Sequence, residues 1–99
     1  MIWLAEQGKK HIPWVEISEW VLKITIGHVI EHPMIKEHYI TSIDILQLTN
    51  AWMLRKKEIV LSPEDKPMID VDISDFAPWA YKVQIRCNLH WTFENEFII

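Results

Sequence analysis

Glycine is nearly absent from this chain: 99 residues contain two, Gly8 and Gly27. A phosphate cradle built from closely spaced glycines cannot form, which removes the P-loop and dinucleotide-binding classes of enzyme. The G-x-S-x-G turn of many hydrolases is missing too. Cysteine is scarcer still. Cys87 stands alone, so no disulfide can close within the chain and nothing demands an oxidising compartment. No apolar run approaches the roughly 20 residues that span a bilayer. The opening "MIWLAEQGKK" has neither the length nor the charge order of an export signal. A soluble, cytoplasmic protein with no membrane partner is the expectation.

Positive charge is also in short supply. Ten Lys and Arg face 14 Asp and Glu, a net charge of −4. Affinity for nucleic acid comes largely from cations that displace counterions along the phosphates. A nucleic-acid partner is therefore disfavoured, and a protein partner with a basic surface suits the chain better. No repeat or low-complexity segment interrupts the chain. With 49% hydrophobic residues, residues 1–99 are expected to form a single small domain around one core.

What is present changes character near residue 58. Before it, Trp14, Ile17, Val21 and Ile24 stand at helical spacing, with Pro13 at a first helical position and Gly27 able to end the helix. The spacing predicts a helix over 13–26, although "LKITI" alternates as a strand would. Pro33 can open a second short helix. Thr41 and Asp44 have capping-box spacing, Ile45, Leu48 and Trp52 form a stripe, and Arg55, Lys56 and Lys57 sit where a helix dipole favours cations. Together they predict a helix over 42–57. After residue 58 the period is two. "EIVL", "MIDVDIS" and above all "WAYKVQIRCNLHWTF" place apolar residues on one face of each strand. The fold class expected is α+β: a helical half, about 13–57, packed on a mostly antiparallel sheet formed by about 58–99.

Pairing the strand at 68–73 with the one beginning at Trp79 sets Asp70 or Asp72 beside Lys82, a surface ion pair. Arg86, Asn88, His90 and Thr92 remain on the polar face, for solvent or for a partner. Six tryptophans are rich in contact area. Trp14, Trp52, Trp79 and Trp91 are assigned to the core, and Trp3 and Trp20 are candidate exposed anchors. The apolar ending "EFII" offers an edge through which a homodimer could form.

Five histidines raise the question of a metal. "HVIEH", His28 to His32, matches the H-x-x-E-H pattern with Glu31 as a base, and His38 could fold back as a third ligand. Gly27 and Pro33 bracket the five residues, so histidines capping a helix end are the preferred account. Cys87 and His90, three apart on one strand, should point to opposite faces unless a bulge intervenes. Cys87 then reads as a small core residue. Asp70 and Asp72 share a face but have no third acid beside them.

No catalytic residue and no cofactor is assigned on this reading. The favoured function is a protein-binding module that covers its partner, as an inhibitor, antitoxin or immunity-type protein does. Asp70, Asp72, Asp75, Glu94 and Glu96 would meet the basic surface, with Arg86 and His90 at the rim. Alternatives are a small metal-dependent or acid/base enzyme using His28, Glu31 and His32, with His38 or His90 as further members, a structural subunit, or an RNA-binding sheet. The last has its aromatic residues on the wrong face for stacking on bases.

Overall fold

The computed structural model describes residues 12–27, 32–78, 80–90 and 92–99. Among them are seven strands and no helix: β1 (Trp14–Ser18), β2 (Val21–Thr25), β3 (Ile40–Leu48), β4 (Met53–Val60), β5 (Met68–Asp72), β6 (Ala80–Cys87) and β7 (Thr92–Ile98). Every pairing is antiparallel. One sheet has the order β1-β2-β5 and the other β4-β3-β6-β7. A single apolar cluster draws Leu22, Ile24 and Val71 from the first and Ile43, Ile45, Tyr81, Val83, Ile85 and Phe97 from the second. The two sheets therefore face each other as a sandwich.

The α+β expectation is corrected to an all-β fold, and the helical half over 13–57 is where it fails. Residues 14–26 include Val15, Ile17, Val21, Ile24, Thr25 and Ile26, whose branched Cβ atoms suit a pleated surface. Leu22 and Ile24 are buried, whereas Val21 and Lys23 are exposed. That is a period of two. Three members of the supposed helical stripe, Trp14, Ile17 and Val21, face solvent. Between β1 and β2 the turn needs only Glu19 and Trp20, with Glu19 at φ 56° in the left-handed region where glycine is the easier residue.

The helix expected over 42–57 is instead a hairpin of β3 and β4. Thr41 does not cap a helix: its hydroxyl donates to the Arg86 carbonyl across the sheet at 3.1 Å. Asp44 lies 3.8 Å from Arg55 on the neighbouring strand. Thr49 organises the turn, its hydroxyl accepting from the Ala51 and Trp52 amides at 3.3 and 2.9 Å. Trp52 is 65% exposed, not core. The basic run Arg55, Lys56 and Lys57 lies along an edge strand, where charge discourages pairing with other chains.

The expected hairpin between β5 and β6 also fails, because these strands belong to different sheets. Asp70 stands opposite Lys23. Lys82 stands opposite Glu96 and bonds to Glu94 at 3.1 Å. "EIVL" contributes Glu58, Ile59 and Val60 to the end of β4. No helix among the described residues is long and apolar enough to cross a membrane.

Tyr81 lies at the centre of the core. Fully buried, its ring stacks between Phe76 and Phe97 at centroid distances of 5.4 and 5.2 Å, and its hydroxyl donates to the Ala77 carbonyl at 2.6 Å. Burial raises its pKa above the ordinary 10.0, and the charge of Asp75 pushes the same way. Below about pH 10 the phenol is protonated both folded and unfolded, and it adds no pH dependence. Above it the unfolded chain ionises first, so stability falls as pH rises towards the folded pKa. Denaturant titrations between pH 8 and 11 should show this alkaline loss in the wild type and a shallower one in Tyr81→Phe.

Candidate metal centre

The site is built where one sheet hands the chain to the other. Along β6, Tyr81, Val83, Ile85 and Cys87 are buried in alternation, so Cys87, the last residue of the strand, turns inward at one end of the sandwich. Its partner on β3 is Ile40, yet Arg86 pairs with Ser42. Thr41 is thus the extra residue of a β-bulge, the kind of irregularity that re-aims side chains beside functional sites. Just before it, residues 32–39 carry the chain from the β2 sheet to the β3 sheet. Pro33 keeps His32 out of helical geometry. Ile35 and His38 exchange two backbone hydrogen bonds of 3.0 Å, and this tight turn returns His38 to the end of the sandwich.

Three side chains from these two segments converge. His32, His38 and Cys87 each offer one donor atom, and the three atoms lie within 4.8 Å of one another. Donor atoms sharing one transition-metal ion would lie no more than about 4.4 Å apart, given metal–nitrogen and metal–sulfur bonds near 2.1 and 2.3 Å. Only a small adjustment separates the observed spacing from a shared ion. A fourth donor is adjacent: Cys87 Sγ is 3.7 Å from His90 Nδ1. The His38 ring contacts both other imidazoles edge-on, at 4.8 Å from His32 and 5.1 Å from His90.

The orientation of His32 is imposed by the chain. Its Nδ1 lies 2.7 Å from the Pro33 carbonyl. A carbonyl oxygen only accepts, so Nδ1 carries the hydrogen and Nε2 keeps its lone pair in the neutral ring. The Nε2 atoms of His32 and His38 are both shielded from solvent. One soft thiolate among imidazoles is a donor set for a transition metal such as iron, zinc or copper, and ill-suited to magnesium or calcium, which take oxygen ligands. A surface depression lined by Arg86, Cys87, Asn88, Leu89, His90 and Thr92 opens beside it, with exposed Arg86 supplying positive charge at the rim.

The sequence had named His32 and His38 as metal candidates but paired them with His28. His28 and Glu31 lie outside the described residues, as do His11, Trp3, Trp79 and Trp91. The sequence admits His90 to the metal-dependent alternative but sets Cys87 in the core on the opposite face, so the meeting of the two is missed, because period-two order is extended past the end of the strand. β6 stops at Cys87, and the bend through residues 88–90 brings His90 round to the sulfur. The overlooked signal was local: the lone cysteine followed three residues later by a histidine, in "CNLH".

The acids chosen as partner contacts are dispersed. Asp70 faces Lys23, and Glu94 and Glu96 face Lys82. Asp72 accepts from the Ser74 amide at 2.9 Å; hydrogen bonds from Ser74 and the charge of Lys57 hold its carboxyl below the usual 3.8. Asp75 is exposed at the turn before β6, and Trp20 is 60% exposed at the β1–β2 turn. Among the described residues singled out in the sequence, His32, His38, Cys87 and His90 come together.

A family model described as Desulfoferrodoxin matches residues 4–96. Among solved structures, a superoxide reductase (1Fe-SOR) from Giardia intestinalis superposes with a TM-score of 0.81 at 23% identity, over 91% of this chain and 98% of that one. The superoxide reductase from Nanoarchaeum equitans gives 0.72 at 19% identity, over 92% and 94%. That from Treponema pallidum gives 0.68 at 28% identity, over 90% and 66%. A comparison with curated proteins yields no significant match. The family match and the His/Cys cluster overturn the reading of a partner-covering inhibitor, antitoxin or immunity-type protein and point to a metal enzyme.

Proposed function

This chain belongs to the desulfoferrodoxin family, and from that premise we propose that it is a superoxide reductase holding one iron ion through His32, His38, Cys87 and His90. The observation that carries the reading is the meeting of His32, His38 and Cys87 donor atoms within 4.8 Å, in a chain whose fold matches that of the superoxide reductase (1Fe-SOR) from Giardia intestinalis. Bound iron would supply the single electron that, with two protons, converts superoxide to hydrogen peroxide; an external donor returns that electron.

The chain's own part is to bind, orient and admit. The Pro33 carbonyl fixes the His32 tautomer. Cys87 presents its sulfur from the buried face of β6, beside the imidazoles of His32, His38 and His90. Arg86 gives the adjoining depression a positive rim that attracts a small anion. The electron donor takes the place of the protein partner expected from sequence. A cysteine used as a ligand and not in a disulfide fits the reducing cytoplasm expected from composition.

Metal analysis of tag-free protein loaded anaerobically with ferrous iron tests the reading, with superoxide consumption measured on the same samples. One iron per chain is expected in the wild type. Iron content and superoxide consumption should both collapse in His32→Ala and His38→Ala. Equal iron and equal activity in those variants would defeat it.

A further inference from the structure

Asn88 lies between two of the proposed ligands in sequence, Cys87 and His90, and reaches across to the segment that carries a third. Its Oδ1 accepts from the Tyr39 amide at 2.9 Å. Its Nδ2 donates to the Glu37 carbonyl at 3.1 Å. Its own backbone amide donates to the Tyr39 carbonyl at 3.2 Å. All three bonds land on the residues immediately before and after His38. The same Oδ1 stands 4.0 Å from Cys87 Sγ.

We propose that Asn88 is a positioning residue that clamps the His38 turn to the end of β6 and so sets the separation and angle between the His38 and Cys87 donors. This rests on the metal-centre reading above and deepens it. The physical case is one of constraint. His38 sits on a short turn, outside both sheets, closed by its pair of hydrogen bonds with Ile35. Cys87 is held by the β3–β6 ladder. Between a turn and a sheet the relative position must be set by something that touches both. Asn88 does so with a fork of one acceptor and one donor, so neither bond can shift without straining the other. Asparagine is required because the fork needs both functions: aspartate keeps the acceptor for Tyr39 but loses the donor for Glu37, and alanine loses both. A metal pocket whose donors are already at the right spacing does not have to be ordered by the ion, and that is where outer partners gain their influence on affinity.

Cobalt(II) serves as the probe, since its visible spectrum reports ligand number and geometry without turnover. Asn88→Ala is expected to bind cobalt about 10- to 100-fold more weakly than wild type, with altered d–d bands and weakened sulfur-to-cobalt absorption. Asn88→Asp should fall between them. Thr49→Ala, which breaks the turn bonds at the other end of β3, is the control for lost stability; it should lower the melting temperature while leaving affinity and spectrum as in wild type. Circular dichroism identifies a variant that has failed to fold, and Asn88→Asp then carries the test. If wild type binds cobalt and both folded Asn88 variants match it in affinity and spectrum, the clamp is overturned and the metal centre stands. If wild type takes up neither cobalt nor iron, the metal-centre reading falls and takes the clamp with it.

Discussion

Cys87→Ser is expected to yield a folded protein that has lost the visible sulfur-to-metal absorption and binds its metal at least about 100-fold more weakly, beyond what the removal of an outer partner typically costs. The serine is nearly the same shape but stays a neutral hydroxyl near pH 7, where cysteine can lose its proton to a metal and bind as a charged, polarisable ligand. Superoxide consumption should fall towards the rate without protein. The change also costs stability, because Cys87 is only 4% exposed and a hydroxyl there must find a partner or forfeit about 1–3 kcal/mol. Melting curves separate that cost from lost metal. His90→Ala provides the comparison: it leaves the sulfur in place, so some sulfur-to-metal absorption should survive with shifted bands. A Cys87→Ser protein that retained both the absorption and the iron would remove the sulfur from the centre.

Tyr81→Ala is expected to be the most destabilising single change in the core, at about 3–5 kcal/mol, the cost typical of truncating a buried aromatic ring. The ring bridges Phe76 and Phe97, and its hydroxyl satisfies the Ala77 carbonyl. Total stability for a domain of this size is on the order of 5–15 kcal/mol. The melting temperature should therefore drop by on the order of 20 °C. Tyr81→Phe keeps the packing and loses one hydrogen bond, for about 1 kcal/mol. The position also separates stability from chemistry. Tyr81 and Cys87 are six residues apart on β6, roughly 20 Å at the rise of a strand, so Tyr81→Phe should bind iron as the wild type does. Chemical denaturation of apo-protein checks the first claim and iron titration the second. A loss below about 1 kcal/mol in Tyr81→Ala would mean that the sandwich closes over the missing ring.

The strand-rich second half was legible because its strands bury one face each. From Tyr81 to Cys87 the alternation in the sequence is the alternation in the structure. The first half was misread for a reason visible in particular residues. β1 is exposed on nearly every residue and β4 on almost all of its length, so neither carries a clean period of two, and coincidental three-and-four spacings filled the gap. β-Branched residues at 15, 17, 21, 24 and 25 were the better guide. At the site, the histidines were noticed, but a motif within five consecutive residues drew attention away from the cysteine 55 positions beyond His32 in the chain.

By itself the sequence determined what the protein has to work with: one domain's worth of apolar residues, one thiol, five imidazoles, and too few glycines for a phosphate loop. It also determined the buried face of β6, since alternation is a local property of the chain. The tertiary structure decided which donors meet. His32 and His38 lie on a connection between sheets, Cys87 ends a strand in the second sheet, and His90 lies in the bend beyond it. Their convergence depends on strand order, on the Thr41 bulge and on where β6 stops. Those are set by long-range packing of two sheets, because no local spacing can bring residue 32 to residue 87.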